Sequence, residues 1–298
     1  NLIHFLERKD GIFFARGGTG NLIKALTKLM QEQQIKIHLN QLVKSIDIDD
    51  KSRHIQGITL QSGKKESCSF VIANTDPHYL YQHLLPNNAV NLSAKIKNKY
   101  AKKSMGLFIL FFGTRRQYPH IKHHTISLGP RYQSLLDDIF HKKIVPEDFS
   151  LYLHRPTATD SSFAPPGCDS FYALVPVSNL QGGQDWDTLG PKLQTQILKN
   201  LQNTLLPDLD QHLDHVFYKT PKDFQYDHLN VDGEAFSIAP IFYQSAWFRY
   251  HNMAEGIKNL FLVGAGTHPG AGLPGVLSSA KVTAKLLPVA TPTEKVPT

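Results

Sequence analysis

Apolar and polar positions follow regular periods over the first part of the chain. A helix with one buried face is predicted after the glycines at 17, 18 and 20, because apolar residues recur there at i, i+4, i+7 and i+8. These residues are Leu22, Leu26, Leu29 and Met30. Half-buried strands are predicted wherever apolar and polar residues alternate one by one. These segments are Ile35–Leu39, Leu42–Ile48, Ile55–Leu60 and Ser67–Ile72, with a turn at Ser62-Gly63.

The middle of the chain has longer apolar strands with helices between them. Strands are predicted at Met105–Gly113, Thr125–Leu128, Ser150–Leu153 and Phe171–Val177, and helices at Tyr132–Phe140 and Leu189–Leu205. Because helices and strands are mixed, the sequence predicts a mixed α/β fold. We expect residues 1–103 and 236–290 to share one lobe, residues 104–235 to form an inserted second lobe, and residues 291–298 to form a tail.

The most informative stretch is Leu260–Leu287. The apolar residues Leu260–Val263 predict a short buried strand, and a helix rich in small residues is predicted from Pro274. Five glycines fall between residues 264 and 275, and glycine lets backbone N–H groups approach an anionic ligand at a helix N-terminus. The spacing differs from the G-x-G-x-x-G of the standard dinucleotide-binding turn, because Pro269 stands where the third glycine would fall.

Several stretches of the sequence resemble one enzyme family. GAGTHPGAGLPGV at the C-terminal end looks like the flavin-contacting motif of bacterial-type phytoene desaturases, which are FAD-dependent carotenoid desaturases. Three other stretches resemble the same family in the same order: GGTGNLIKALTKL, SLYLHRPTATDSSFAPPGCDSF and QSAWFRYHN. The resemblance implies a flavin-binding lobe of the FAD/NAD(P)-binding type, formed by residues 1–103 and 236–290, with residues 104–235 as a substrate and membrane lobe.

The function that this resemblance implies is FAD-dependent desaturation of phytoene, a C40 carotenoid precursor, toward lycopene or an intermediate. The electron acceptor stays open. One alternative is desaturation of a C30 or hydroxylated carotenoid. An alternative of another class is a non-catalytic fragment or binding module.

The resemblance also implies which residues contact the cofactor. The flavin would be contacted by Gly264, Ala265, Gly266, Gly272, Pro274, Gly275 and Val276, and the adenine by the backbone of Val43. His268 is the only ionisable group within the glycine turn, which makes it the candidate catalytic residue for charge stabilisation or proton relay. The alternative is a structural histidine that hydrogen-bonds the turn backbone.

One feature of the family pattern is missing from the sequence. Related FAD oxidoreductases open with a βαβ unit whose G-x-G-x-x-G holds the pyrophosphate, and no such motif or following acidic residue is present here. We therefore interpret the chain as the C-terminal part of a longer enzyme. On its own we expect it to bind FAD weakly or not at all and to be inactive.

Charge and composition bear on partners and location. The net charge is +7, but no nucleic-acid recognition module accompanies it, so no nucleic-acid partner is expected. Five lysines at Lys95–Lys103 precede the apolar run Met105–Phe112, and we expect a peripheral membrane contact there, with a solvated helix face as the alternative. No run approaches the roughly 20 apolar residues that span a bilayer. Two isolated cysteines indicate a cytoplasmic setting.

A metal site is not expected from the sequence. His120, His123 and His124 are close together, but no cysteine or carboxylate lies at ligand spacing, and successive residues of a strand point to opposite faces. The motifs HExxH and G-x-S-x-G are also absent. Zinc-enzyme and hydrolase chemistry therefore lack support in the sequence.

Overall fold

The computed structural model describes residues 8–9 and 11–288. The helices are α1 (Gly18–Glu32), α2 (Pro77–Tyr79), α3 (Leu92–Tyr100), α4 (Tyr132–Asp137), α5 (Trp186–Thr204), α6 (Leu209–His212), α7 (Pro221–His228) and α8 (Leu273–Leu286). The strands are β1 (Val43–Ile48), β2 (Ile55–Leu60), β3 (Lys65–Ser67), β4 (Val71–Ala73), β5 (Gly106–Thr114), β6 (His124–Ser127), β7 (Leu151–His154), β8 (Asp169–Val177), β9 (Leu213–Lys219) and β10 (Leu260–Leu262). The predicted tail at 291–298 lies outside the described residues.

The buried apolar side chains form two separate groups, and we call the parts of the chain around them the first and the second lobe. In the second lobe the buried group lies between a five-stranded sheet and α5 and includes Phe108, Leu153 and Ile197. In the first lobe it includes Ile46 and Leu262 and draws on residues from both before and after the second lobe. Residues of the first group thus precede and follow those of the second group in the sequence, and the boundaries of the two lobes stay a prediction.

The five-stranded sheet has the order β6-β7-β8-β5-β9, and all its neighbours are antiparallel. Burial alternates along β8, so Phe171 and Ala173 face α5 while Tyr172 and Leu174 lie half-buried on the other face. Successive residues of a strand point to opposite faces of the sheet, so burial alternates where a helix covers only one face. The sheet thus has a second face that carries aromatic side chains.

The first lobe contains two small sheets. Strands β1, β2 and β3 form an antiparallel sheet, whereas β4 pairs with β10 in parallel. The predicted strand Ser67–Ile72 is divided between these two sheets. The predicted strand Ile35–Leu39 is wrong: that segment is not in a strand, and Ile35, Ile37 and Leu39 are exposed. A segment with an alternating pattern forms a strand only where a neighbouring strand supplies partners for its backbone hydrogen bonds.

Helix α1 forms as predicted, but the prediction of one buried face is wrong. Leu26 and Leu29 are 40% and 51% exposed, and Met30 is also exposed. The helix contacts the second lobe at its start, where the Gly17 N–H donates to Asp160 Oδ2 at 2.9 Å. Among the described residues, little packs on the apolar face farther along α1.

The chain passes between the lobes twice, at residues 102–105 and 234–239. These two connections run side by side: the Ser104 N–H donates to the Ser237 carbonyl at 2.9 Å, and the Ala235 N–H donates to the Met105 carbonyl at 2.9 Å. Ser237 leads directly to the segment that returns to β10. The lobes are therefore joined by a hydrogen-bonded double connection close to the glycine turn.

Candidate functional site

The glycine turn, residues 263–273, connects the end of β10 to the start of α8. The Val263 N–H donates to the Ala73 carbonyl at 3.0 Å, which extends the parallel pairing with β4 by one residue. Beyond it the chain turns sharply, and Thr267 donates through both N–H and Oγ1 to the Gly264 carbonyl. The turn therefore begins at the carboxyl end of a buried parallel strand, where ligands bind in sheets of this kind.

Buried hydroxyls tie α8 to the strand beneath it. Ser279 Oγ accepts from the Gly264 N–H at 2.9 Å and donates to the Val276 carbonyl at 2.6 Å. Thr283, one turn farther on, donates to the Leu262 carbonyl at 3.1 Å. Because the Gly264 N–H is used inside the protein, it is not available to a ligand.

Two glycines of the turn are required by geometry. Gly264 has φ +107°, which L side chains rarely adopt, and a Cβ there would lie 2.5 Å from Asn74 Oδ1. A Cβ on Gly275 would lie 2.5 Å from the Gly270 carbonyl oxygen. Any larger residue at Gly275 must push the turn away from the first turn of α8.

The N-terminus of α8 is open. Its N-cap is Gly272, which offers no side-chain cap, and its first turn has no acidic residue. A Cβ on Gly272 would meet no atom within 4 Å. Helix N-termini carry unsatisfied N–H groups and a positive dipole end, so this end attracts a negatively charged or electron-rich group.

The predicted cofactor residues divide into two groups in the structure. Gly264, Ala265 and Gly266 lie at the inner end, where Gly264 and Gly266 are buried. Gly272, Pro274, Gly275 and Val276 lie at the accessible start of α8. Val43 is half-buried at the start of β1, in the separate three-stranded sheet, where it pairs with Leu60. Its contact with an adenine stays a prediction.

Arg249 holds the turn in place, and the sequence did not single it out. Its side chain donates to the Ala265 carbonyl at 2.7 Å and to the carbonyls of Phe236 and Ile238 on the second connection between the lobes. Burial lowers the pKa of this guanidinium, and the nearby Asp76 opposes the shift. Arg249 lies within QSAWFRYHN. The resemblance of this stretch to the enzyme family was the sequence signal that could have identified it.

His268 has a fixed backbone and an unpaired ring nitrogen. Its N–H donates to the Tyr250 carbonyl at 2.9 Å, and its carbonyl accepts from Asn252 at 3.1 Å. The ring lies 6.1 Å from the Trp247 ring, and its Nδ1 is buried with no partner among the described residues. The ring is therefore not tied to the turn backbone through Nδ1. Its role in proton transfer stays a prediction.

Further buried polar atoms near the turn lack partners among the described residues. They are Thr75 Oγ1, Asp76 Oδ2, Ser237 Oγ and Arg249 Nε. Ser237 Oγ lies 2.8 Å from the Cβ position of Gly266, and Arg249 Nε lies 3.8 Å from that of Gly270, so these two atoms lie beside the turn. Buried polar groups in native proteins are normally paired. The residues present thus fit a ligand or waters with hydrogen-bonding atoms, as the polar edge of a flavin has.

The lysine run does not form one solvated face. Lys97 is half-buried, donates to the Arg249 carbonyl at 2.9 Å, lies over the Tyr250 ring at 4.9 Å, and has its pKa lowered by burial. Lys103 is buried against Glu234. The apolar run Met105–Phe112 is mostly the predicted strand β5, and its Phe108 and Leu110 are 0% exposed. The membrane contact near the lysines stays a prediction.

The structure brings together histidines at which no metal site was expected. His123 lies in a bend before β6, and only His124 belongs to the strand. The rings of His123 and His124 are therefore not held on opposite faces of one strand. The rings of His123, His124 and the cross-strand neighbour His154 come together.

Relatives of known function match nearly the whole chain. It is 44% identical over 290 residues to phytoene desaturase (lycopene-forming) from Pantoea ananas, covering 96% of this chain and 58% of the relative. It is 39% identical over 292 residues to phytoene desaturase (neurosporene-forming) from Cereibacter sphaeroides, covering 96% and 56%. The chain thus spans little more than half the length of these relatives. Their names do not favour the alternative substrates or the binding-module alternative.

Solved structures of other proteins share the fold of this chain. An oxidoreductase from Methanosarcina mazei matches with a TM-score of 0.61 at 17% identity, covering 90% of this chain and 55% of that one. The predicted mixed α/β flavin-oxidoreductase fold is confirmed, and FAD is supported as the cofactor. The sequence matches the flavin containing amine oxidoreductases over residues 1–287, so the chain belongs to that family.

Proposed function

We propose that the protein acts in the FAD-dependent desaturation of phytoene in carotenoid biosynthesis. The observation that carries this proposal is the 39–44% identity to phytoene desaturases over 96% of the chain. The open N-terminus of α8 beside the glycine turn supports it, because such a helix end can accept a negatively charged or electron-rich group of a flavin. The electron acceptor is not part of the proposal.

The glycine turn orients the cofactor. FAD, when bound, supplies the acceptor for a hydride taken from carbon. The N-terminus of α8 at Gly272 favours negative charge at the cofactor's polar edge. Arg249 keeps the turn fixed on the connection between the lobes. We propose His268, whose Nδ1 is unpaired among the described residues, as the group that holds or passes on the proton released when the hydride leaves.

The second face of the five-stranded sheet is the proposed surface for the hydrocarbon. Aromatic rings follow one another across it: Phe217 stacks on Phe111 at 4.9 Å, Phe111 lies 5.9 Å from Tyr172, and Tyr172 lies 4.5 Å from His154. This row crosses strands β9, β5, β8 and β7. A long isoprenoid needs an extended apolar surface more than it needs charged groups, and the row provides one.

A chimera tests the proposed function. The matching segment of the Pantoea ananas relative is replaced by this chain, and the chimera is expressed in cells that accumulate phytoene. We expect conversion of phytoene to coloured polyenes, measured by chromatography with visible absorbance, with the unaltered relative as the positive control. A chimera that retains bound flavin but leaves phytoene unchanged would contradict the proposal.

We further propose that the protein docks on a membrane surface, from which it collects this insoluble substrate. Among the described residues, none of the helices combines the length and apolar character needed to cross a bilayer. Exposed apolar residues do form one stripe on α3, at Leu92, Ile96 and Tyr100, which are 73%, 49% and 68% exposed. Lys95 and Lys99 flank the stripe, and both are exposed.

An exposed aromatic patch continues this surface. It consists of Phe242, Tyr243, Trp247 and Phe248, which are 52–86% exposed. Gln244, within this segment, donates to the Lys102 carbonyl at 2.9 Å and accepts from its N–H at 2.8 Å, which joins the patch to the end of α3. Aromatic residues beside lysines are typical of interfacial docking.

A cavity of about 740 Å³ borders this surface. Leu136 and Phe140 line it from the second lobe, and Ile241, next to the patch, lines it from the first. Because the cavity is bounded by residues of both lobes and adjoins the proposed docking surface, we propose it as the substrate entrance.

A further inference from the structure

Three histidine rings form a cluster at the β6 end of the five-stranded sheet. The ring centroids of His123 and His124 are 4.4 Å apart, those of His123 and His154 are 4.6 Å apart, and those of His124 and His154 are 5.4 Å apart. One ligand nitrogen from each residue lies within 4.8 Å of the others. This cluster is separate from the glycine turn in the sequence and in the fold.

The fold produces this convergence from two directions. His124 and His154 are direct cross-strand neighbours in the antiparallel pair β6 and β7. Just before β6 the chain bends, and the Arg155 N–H donates to the His123 carbonyl at 2.9 Å, which holds the bend against the end of β7. The Phe14 ring packs edge-on at 4.5 Å from the His123 ring. Backbone contacts thus bring all three residues to the same end of the sheet.

Each ring has a hydroxyl at its Nδ1. His123 Nδ1 lies 2.5 Å from Thr159 Oγ1, and His154 Nδ1 lies 3.0 Å from the Tyr152 hydroxyl. The same Tyr152 hydroxyl bonds His124 Nδ1. When Nδ1–H donates to a hydroxyl oxygen, Nε2 keeps its lone pair, which is the tautomer that metal-binding histidines use.

The cluster also contains a buried ring nitrogen. His123 Nε2 is buried and has no partner among the described residues. Buried polar atoms are normally paired, and a bound cation would give His123 Nε2 a partner.

We propose that His123, His124 and His154 form a binding site for Zn²⁺, with three imidazole ligands and water in the fourth position. Three nitrogens at about 2.0–2.1 Å from the metal is the ligand arrangement of tetrahedral zinc sites with one open position. The rings must close in somewhat to reach it, and His124, which is exposed, has room to move. No carboxylate or thiol joins this group in the part of the chain described.

Direct metal titration of the purified chain tests the proposal. We expect one Zn²⁺ per chain by calorimetry, and visible absorption bands of tetrahedral Co²⁺ when Co²⁺ is used as the probe. His124→Ala and His154→Ala should each abolish both signals. Tyr152→Phe, which removes the hydroxyl that orients two rings, should weaken binding about 10–100-fold.

Matched controls are His141→Ala and His215→Ala, whose side chains are 77% and 92% exposed and lie outside the cluster. Both should bind Zn²⁺ like the unaltered chain. Because His124 is at the surface, His124→Ala tests the site even if His154→Ala folds poorly. Unchanged Zn²⁺ affinity in folded His124→Ala, or equal losses in the control variants, would overturn the proposal.

Discussion

Lys103 and Glu234 form an ion pair that is removed from solvent. Lys103 Nζ lies 2.9 Å from Glu234 Oε1, and the two side chains are 1% and 0% exposed. Each residue belongs to one of the two connections between the lobes. Burial raises the pKa of Glu234, and Lys103 opposes that shift. The pair therefore adds a buried charge-assisted contact to the backbone hydrogen bonds that join the connections.

Removal of one partner should destabilise the protein strongly. Glu234→Gln leaves the Lys103 ammonium buried without its counter-charge, and such changes cost about 3–5 kcal/mol. Urea unfolding should show this loss in the free energy of unfolding. Glu66→Gln is the control, because the Lys64–Glu66 pair is exposed and such pairs contribute about 0–1 kcal/mol. Equal effects of the two changes would contradict this account.

Gly275→Leu should empty the flavin site of the chimera. The reason is the 2.5 Å separation between the Cβ position of Gly275 and the Gly270 carbonyl oxygen, which a side chain cannot tolerate. Flavin absorbance of the purified protein, relative to its peptide absorbance, is the measurement. Ala280→Leu lies on the exposed side of the same helix and should keep its flavin. Normal flavin content in Gly275→Leu would exclude this turn as the site.

Arg249→Lys should loosen the glycine turn although it keeps the positive charge. A lysine ammonium cannot reproduce the fork that reaches the carbonyls of Phe236, Ile238 and Ala265. We expect faster amide hydrogen exchange at residues 265–268 and weaker flavin retention. Arg115→Lys, at an exposed position, is the matched control and should change neither. Exchange that matches the unaltered protein would refute the clamping role.

His78 should make the fold sensitive to acid. Burial, aided by Lys103, lowers the pKa of this ring from 6.5 to about 4. Below pH about 6.5 the unfolded chain takes up a proton that the folded chain refuses until pH about 4, so the free energy of unfolding falls as the pH drops across this window. The full loss from this group is about 3 kcal/mol.

The measurement is the free energy of unfolding at pH 7 and at pH 4.5 for the unaltered chain and for His78→Asn. The variant should lose less stability between the two values, because it has no ring to protonate. His215→Asn, at a 92% exposed position, should behave like the unaltered chain. A pH dependence that is the same in all three would show that His78 is not responsible.

Local patterns predicted most of the helices and strands, because the residues that specify each of them lie close together in the sequence. Strands β2, β5, β6, β7 and β8 occur near the positions where apolar residues alternate or form runs. Strand β9 and helix α7 were missed. A signal for α7 existed, since Thr220 and Asp223 form a capping box with Pro221 at the first helical position.

Contacts between distant residues were beyond what patterns reveal. Lys103 and Glu234 are 131 positions apart, and no local period marks two residues that meet only when both connections pair. The histidine cluster could not be predicted from the sequence for a related reason. Its third member, His154, arrives through strand register, and a bend that no sequence period predicts carries His123 out of the strand.

The proposed membrane surface should require both its charges and its aromatic rings. Each lysine near an anionic surface contributes about 1 kcal/mol, so Lys95→Gln/Lys99→Gln/Lys102→Gln should lower co-sedimentation with vesicles that contain phosphatidylserine. It should leave any binding to neutral phosphatidylcholine vesicles unchanged. Phe242→Ser/Trp247→Ser removes inserted apolar area and should lower binding to both kinds of vesicle.

Lys97 and Lys103 are left unaltered in this experiment because both have structural contacts inside the protein. The matched control replaces Lys24, Lys192 and Lys199, which are exposed elsewhere, and so changes the net charge by the same amount. If binding depended only on net charge, both triple variants would lose it equally, and that outcome would remove α3 as the docking face. A loss confined to the α3 variant would instead locate the membrane contact there, because the two proteins differ only in where the charges were removed.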